Sequence, residues 1–419
     1  MSAPPDYADF ARRVRARGLL WDPWCDGSPR LAETPCVLDD RRWHELSAAA
    51  EAVAAVHDEL AHLVAADPDL LDAFFAPTPA QRAMWLASAP HWHGIARADV
   101  FATATGPKVC ELNSDTPSGE AEAVEMSTLA AAARPDCIDP NVHLGQRFTT
   151  MLAAWATTIG CTSAGTVGLV YPTEMTEDLS MVALYRRWLE ASGWRVVLGS
   201  PFNLDRADDG RASLLGVACD VLVRHYKTDW WGERLPVRDD EAPPKDAVAL
   251  VGPLAHALGA LVDGRTAIVN PFGAVLTQNK RALALCHEAI DRFSPGSRAA
   301  IRRYLPVTRR LEFAREEIWH ERARWVLKSD HGCEGAQVVV GALVEQPEWE
   351  DALGHAIAQR WVAQEYFTAQ PEPDGDVVNF GVYLIGGRTA GVYGRTHPAD
   401  RTTDDRARSI PVLCTGARS

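Results

Sequence analysis

The run Lys108-Val-Cys-Glu-Leu-Asn113 carries Glu111 and Asn113 two positions apart in an apolar stretch that then dissolves into Ser, Asp, Thr, Pro and Gly. Just upstream, in RADVFATATGP, Arg97 and Asp99 show the same spacing. If the two runs are the arms of a hairpin turning around Thr105-Gly106, Asp99 lies opposite Glu111 and Arg97 opposite Asn113. Alternation places all four on one face, with opposed Cβ atoms about 5 Å apart, and leaves Ala98, Val100, Cys110 and Leu112 on the core face. Two carboxylates so close repel unless a proton or a cation lies between them. Asp, Glu and the Asn carbonyl are hard oxygen donors, a set that suits Mg²⁺ bridging to nucleotide phosphates. Arg97 adds a fixed positive charge suited to a phosphate or carboxylate oxygen. A merely solvated hairpin face gives no reason for a Ser/Thr/Gly loop directly behind these residues.

The elements that must hold this hairpin follow from periodicity. Apolar residues at helical spacing predict helices over Asp6 to Arg17, Trp43 to Ala66 and Ala80 to Ala89. From Thr166 the pattern becomes strand, helix, strand: TVGLVYP, DLSMVALYRRWLEASGW ending near Gly193, and RVVLGSP. That is a βαβ unit with a parallel component. A further strand, Asp220 to Arg224, leads into HYKTDWWGE, and RDDEAPPK (238–245) reads as a polar loop. After AIVNP come a helix from Asn279 to about Phe293, strand-like runs in RWVLKSD, AQVVVG and RWVAQEYF, and a hairpin through Gly386-Gly387. His91 and His93 flank Trp92 without a third ligand nearby, which favours a structural role.

Composition narrows the partners. The 419 residues, 47 % hydrophobic and 23 % charged, suffice for two or three lobes around real cores. A formal charge of −14, from 56 acidic against 42 basic residues, opposes binding of a nucleic acid. Nine cysteines scattered without a CxxC pair argue against a disulfide framework or a zinc cluster. No basic-then-apolar leader opens MSAPPDYADFARR, and no apolar run approaches the roughly 20 residues of a membrane helix. A cytoplasmic protein without a membrane partner is expected.

Taken together, Arg97-x-Asp99 and Glu111-Leu-Asn113-x-Asp115-Thr-Pro resemble the metal-binding hairpin of the glutathionylspermidine synthase family. Its ATP-grasp fold is circularly permuted, so that this motif precedes the nucleotide-binding lobe. NPFGAVLTQNK is similar to the family segment that places a nucleotide-binding lysine, here Lys280. RWVLKSDHGCEGAQV resembles the second lysine and glycine loop, with Lys328, Gly332 and Gly335. WVAQEYF looks like the hinge strand, implying that Gln364, Glu365 and Tyr366 meet adenine and ribose. GGRTAGVYGR looks like the strand that brings an arginine, Arg395, to the transferring phosphate. The chain departs from the pattern at Cys333, where arginine is usual, and at Ser329, where proline follows the lysine. Nothing corresponds to the amidase half of bifunctional members.

The resemblance implies an α/β fold: a helical N-terminal segment (1–85), a hairpin and following helices belonging to the ATP-grasp core (86–165), a pre-ATP-grasp-like α/β lobe (166–265) and a nucleotide-binding lobe (266–419). It also implies an ATP- and Mg²⁺-dependent ligase that activates a small-molecule carboxylate as an acyl phosphate and captures it with an amine. Asp99, Glu111 and Asn113 would hold the metal, with Arg97 and Arg395 at the phosphoryl group. Thr116 and Ser118 become candidates for the carboxylate substrate. Lys227, Trp230, Trp231 and Glu233, in YKTDWWGE, become candidates for the acceptor site. Capture by a non-amine acceptor, and a nucleotide-binding scaffold without catalysis, are the competing expectations.

Overall fold

The computed structural model describes residues 7–161, 164–232, 248–332, 337–399 and 406–416, together with Ala242 and Lys245. Glu233, Cys333 and Gly335 lie outside the described residues.

The expected hairpin forms from β1 (Ile95–Phe101) and β2 (Lys108–Asn113), with Asp99 paired to Glu111 and Arg97 to Asn113. Gly106, at φ 105°, occupies the turn, a conformation L side chains rarely adopt. One expectation fails beyond that point. Val100 pairs with Val109 instead of Cys110, so an extra residue bulges from β2 and Cys110 leaves the core face for the cleft described below.

A parallel sheet follows, made of β3 (Thr166–Val170), β4 (Arg195–Gly199), β5 (Val221–Arg224) and β6 (Ala267–Val269) in the order β6-β5-β3-β4. Its strands read as nearly continuous apolar runs because both faces are covered. Val221 and Val223 pack with Phe148, Leu152 and Leu189 from helices Leu144–Thr158 and Leu179–Ala191 on one side. Leu222 packs with Leu254 and Ala257 of helix Val251–Val262 on the other.

The next sheet is antiparallel, β7 (Thr308–Arg310), β8 (Trp325–Lys328), β9 (Val338–Val340) and β10 (Val362–Glu365) in the order β7-β10-β8-β9. Alternation settles its two faces. Trp325, Leu327 and Ala363 pack under helices Leu311–His320 and Gln346–Ala358, while Val326, Lys328 and Gln364 face the cleft.

Finally β11 (Asp376–Ile385), β12 (Arg388–Pro398) and β13 (Arg408–Ile410) add to the first hairpin, giving a five-stranded sheet in the order β13-β12-β11-β1-β2. Helix Asp40–Ala66, capped by Asp39 accepting from the Arg42 N–H, covers its apolar face against Ala96, Ala98, Val100, Phe380 and Val382. The helical N-terminal segment is tied in further by Cys36–Leu38, which pairs with Val412–Thr415. The helix expected from Asn279 is shorter, Arg281–Glu288, because Asn279 Oδ1 accepts from the Arg281 N–H and holds a turn ahead of it.

Candidate active site

The three sheets converge on one cleft of about 1180 Å³. It is lined by Arg97, Asp99, Glu111 and Asn113 of the hairpin, Thr116 and Ser118 behind it, Lys227 and Trp230, Lys280, Lys328 and Gly332, Gln364, Glu365 and Tyr366, and Arg395. Residues spread over some 300 positions of chain thus share one cavity because β11 docks alongside β1.

Asp99, 1 % exposed, is the electrostatic centre. Arg97 donates Nε to its Oδ1 at 2.8 Å and Nη2 to its Oδ2 at 3.3 Å, and Arg395 donates to Oδ2 at 3.0 Å. The third Arg97 nitrogen, Nη1, donates to the Ser118 carbonyl at 2.7 Å, which fixes the loop after the hairpin. Glu111 lies 3.5 Å from the Lys280 ammonium and accepts from Asn113 at 3.3 Å. Burial would raise the Glu111 carboxyl, but Lys280, Lys328, Arg97 and Arg395 outweigh it and hold the group well below the usual carboxylate range. It is therefore an anion throughout the neutral range.

The lysines are placed by their own partners. Lys280 Nζ donates to the Gly332 carbonyl at 2.7 Å, which ties it to the segment that follows β8, and its N–H donates to the Asp330 carbonyl at 2.9 Å. Lys328 Nζ donates to Gln364 Oε1 at 2.7 Å. Gln364 in turn donates to the Cys110 carbonyl at 3.1 Å, and the bulge in β2 is what turns that carbonyl toward the neighbouring sheet. The Cys110 thiol itself is pushed up to about 12, chiefly by burial. Gln364 thus positions Lys328. The N–H groups of Glu365 and Tyr366 already donate to the Val307 and Arg324 carbonyls, and Arg324 holds the Glu365 carboxylate at 3.3 Å. Those two N–H groups are thus engaged within the protein, and the rest of Gln364, Glu365 and Tyr366 borders the cleft.

At the other end, Lys227 donates to Asp229 at 3.3 Å and to the His331 carbonyl at 3.1 Å, with its ammonium over Trp230. Trp231 does not line the cleft. It is 1 % exposed, donates its indole N–H to the Tyr226 carbonyl and packs edge-on against Tyr226 and Phe272. Local spacing could not separate the two tryptophans, because the 3₁₀ turn Thr228–Trp230 sends them in different directions. His93 accepts from the Gly387 N–H at 3.1 Å, and burial lowers it to about 4. Among the described residues no group of three or more His, Cys, Asp or Glu side chains is placed to hold a metal.

Several residues that carry the geometry were missed at the level of sequence. Asn270, 4 % exposed, accepts from the Gly94 and Ile95 N–H groups and donates to the Ile95, Ser114 and Asp115 carbonyls at 2.8–3.0 Å. It locks the end of the parallel sheet to both arms of the hairpin. Gln278 accepts from the Ser114 and Asp115 N–H groups and donates to Asn113 Oδ1 at 3.4 Å. Its only sequence signal was its place beside Lys280. Asn379 pairs with Arg395 across β11 and β12 and donates weakly to Asp99 at 3.5 Å. Its Oδ1 is buried without a partner.

The chain belongs to the family described as glutathionylspermidine synthase preATP-grasp, whose sequence model matches residues 2–415. Among solved structures it is similar to a glutathione synthetase-like effector from Globodera pallida in its apo form, at 12 % identity and a TM-score of 0.60, covering 97 % of this chain and 95 % of that one. A putative gamma-glutamylcysteine synthetase from Methylobacillus flagellatus KT aligns at 12 % identity and a TM-score of 0.49 over 91 % and 90 % of the two chains, a likeness too slight to argue from. A search of curated proteins returned no match. At these identities the structural likeness speaks for the fold, a mixed α/β architecture of the glutathione synthetase-like kind. Among the described residues no helix is long and apolar enough to cross a membrane.

Proposed function

We propose that this protein is an ATP-dependent carboxylate–amine ligase that joins two small molecules through an acyl phosphate. The observation that carries the reading is the meeting, in one cleft, of an oxygen-ligand set and two arginines from the five-stranded sheet, Lys328 from the antiparallel sheet and Lys280 from the turn ahead of helix Arg281–Glu288. The donor set fits Mg²⁺: Glu111 is an anion at neutral pH, Asp99 and Asn113 present further hard oxygens, and the orphaned Asn379 Oδ1 lies buried beside them. When bound, the ion supplies neutralisation of charge on the terminal phosphates of ATP.

The chain's own residues do the rest. Lys280 and Lys328 hold phosphate oxygens, with β10 beside the base and Glu365 toward the ribose. The substrate carboxylate forms an O–P bond to the γ-phosphorus as the bond to ADP breaks. Arg97 and Arg395, already converged on Asp99, stand where charge builds on the transferring group. The amine nitrogen then bonds to the acyl carbon, inorganic phosphate leaves and one amine proton is lost. Thr116 and Ser118 border this point of the cleft, and Lys227 and Trp230 border the acceptor side.

The test is phosphate release from ATP and Mg²⁺ with the common L-amino acids and glutathione as carboxylates, crossed with glycine and spermidine as amines, and product masses read in parallel. Release should require both partners, and Glu111→Gln should lower it by about 10²-fold or more through loss of the anionic ligand. No phosphate release with any pair overturns the reading in favour of a scaffold, and release untouched by Glu111→Gln overturns the assignment of Glu111 as a metal ligand.

A further inference from the structure

An ammonium has no lone pair, so amide formation needs a group that removes a proton from the acceptor. Most titratable side chains of the cleft are committed elsewhere. Asp99 and Glu111 are held by cations, Glu122 pairs with Arg30, Lys227 is engaged by Asp229 and His331, and His397 keeps Nδ1 2.9 Å from the Pro398 carbonyl; Glu174 and Glu177 line the cleft on the same segment as Asp178. His225 and Asp178 also line the cleft, and they stand together: His225 Nε2 lies 3.4 Å from Asp178 Oδ1, their side chains only 7 % and 20 % exposed.

Their placement is a property of the fold. His225 directly follows β5, at the carboxyl end of the parallel sheet, where open α/β sheets present groups to ligands. Its N–H donates to the Val170 carbonyl of β3 at 2.7 Å, so the backbone there is fixed. Asp178 is the residue before helix Leu179–Ala191, which crosses back over the same sheet. Thr116, Pro117 and His225 together form a partition, since they line both the cleft and a void of about 10 Å³ behind it. That void has room for about one water.

Charged and titratable groups surround the His225 ring. Asp178 faces it from the helix side, and Glu120 and Tyr185, hydrogen-bonded to each other at 3.0 Å, lie behind it. The Asp115–Arg224 pair borders the void, and Lys227 follows two positions along the chain. Imidazole is the side chain most often used to move a proton in catalysis.

Resting on the ligase reading, we propose that His225, oriented by Asp178, is the base that takes the proton from the acceptor amine. One N–H bond of the ammonium breaks, its proton goes to the imidazole and its pair forms the new C–N bond; the acyl C–O bond to phosphate then breaks, and the second proton leaves the nitrogen with the departing phosphate.

The experiment uses the full chain with two nucleophiles and the carboxylates of the same screen. Hydroxylamine is largely unprotonated at neutral pH and traps an acyl phosphate as a hydroxamate without a base, whereas glycine and spermidine arrive as ammonium ions. His225→Gln should keep hydroxamate formation within about 3-fold of wild type while amide formation at pH 7 falls by about 10²-fold, recovering as pH rises and the amine deprotonates in solvent. Asp178→Asn should lose about 10-fold in amide formation, and Asp178→Glu should recover part of it. Equal loss of both products in His225→Gln, or an amide defect that does not ease with pH, overturns the assignment in favour of a structural role. Wild-type hydroxamate with an unchanged amide rate in His225→Gln also overturns it and leaves the ligase intact. A wild type that forms neither product overturns the ligase reading and this one with it.

Discussion

Glu120 offers a perturbation whose size can be worked from the structure. Its carboxyl is fully buried at the start of helix Glu120–Ala133, with Tyr185 donating to Oε1 and no partner for Oε2. Burial raises it from 4.5 to about 7, only partly opposed by its own backbone N–H, His225, Tyr185 and Arg97. An acid whose folded pKa is raised contributes a penalty that grows as pH climbs through the unfolded value and is complete above the folded one. Below pH 4.5 the group is protonated in both states and costs nothing; between 4.5 and about 7 the unfolded chain ionises first; above 7 the penalty is flat. At 1.36 kcal/mol per pH unit, that interval amounts to about 3 kcal/mol. Glu120→Gln keeps the shape and removes the titration. The difference in unfolding free energy between variant and wild type, from urea melts at pH 5 and pH 8, should therefore move by about 2–3 kcal/mol in the variant's favour. Any constant cost of a buried amide cancels in that comparison. A difference that does not change with pH refutes the reasoning, since it would mean that Glu120 ionises as easily folded as unfolded.

Two further outcomes follow from packing. Asn270→Ala leaves five hydrogen-bonding groups of the hairpin and its following loop without their partner, and should cost about 3 kcal/mol or more in denaturant melts while also lowering nucleotide affinity, because the hairpin loses its lock on the parallel sheet. The adjacent tryptophans should separate cleanly: Trp231→Ala empties a core site and should cost about 3–5 kcal/mol, whereas Trp230→Ala should leave the melting curve within about 1 kcal/mol and instead change the KM for the amine.

Much of the site was legible before any coordinates. The facing pairs Asp99–Glu111 and Arg97–Asn113 follow from two alternating runs joined by a short turn, and turn length and alternation are local properties. So are the βαβ unit, the strands of the antiparallel sheet and the hairpin through Gly386-Gly387, each recovered within a few residues. What escaped was set by single inserted residues and by distant neighbours. The bulge at Cys110 reverses one side chain and exposes the carbonyl that holds Gln364. A second irregularity, between Tyr383 and Leu384, decides that Asn379 faces Arg395. Neither bulge has a signal in composition.

The sequence by itself determined which side chains share a strand face and which segments are strands or helices, because both depend on periods of two and 3.6 residues read within a short window. Only the tertiary structure decided that Arg395 reaches Asp99 across nearly 300 residues, that Trp231 is core while Trp230 lines the cleft, and that His225 meets Asp178. The first and last of these arise from docking β11 against β1 and the helix Leu179–Ala191 against the parallel sheet, contacts whose free energy is shared among many apolar residues and carried by no one position in the chain.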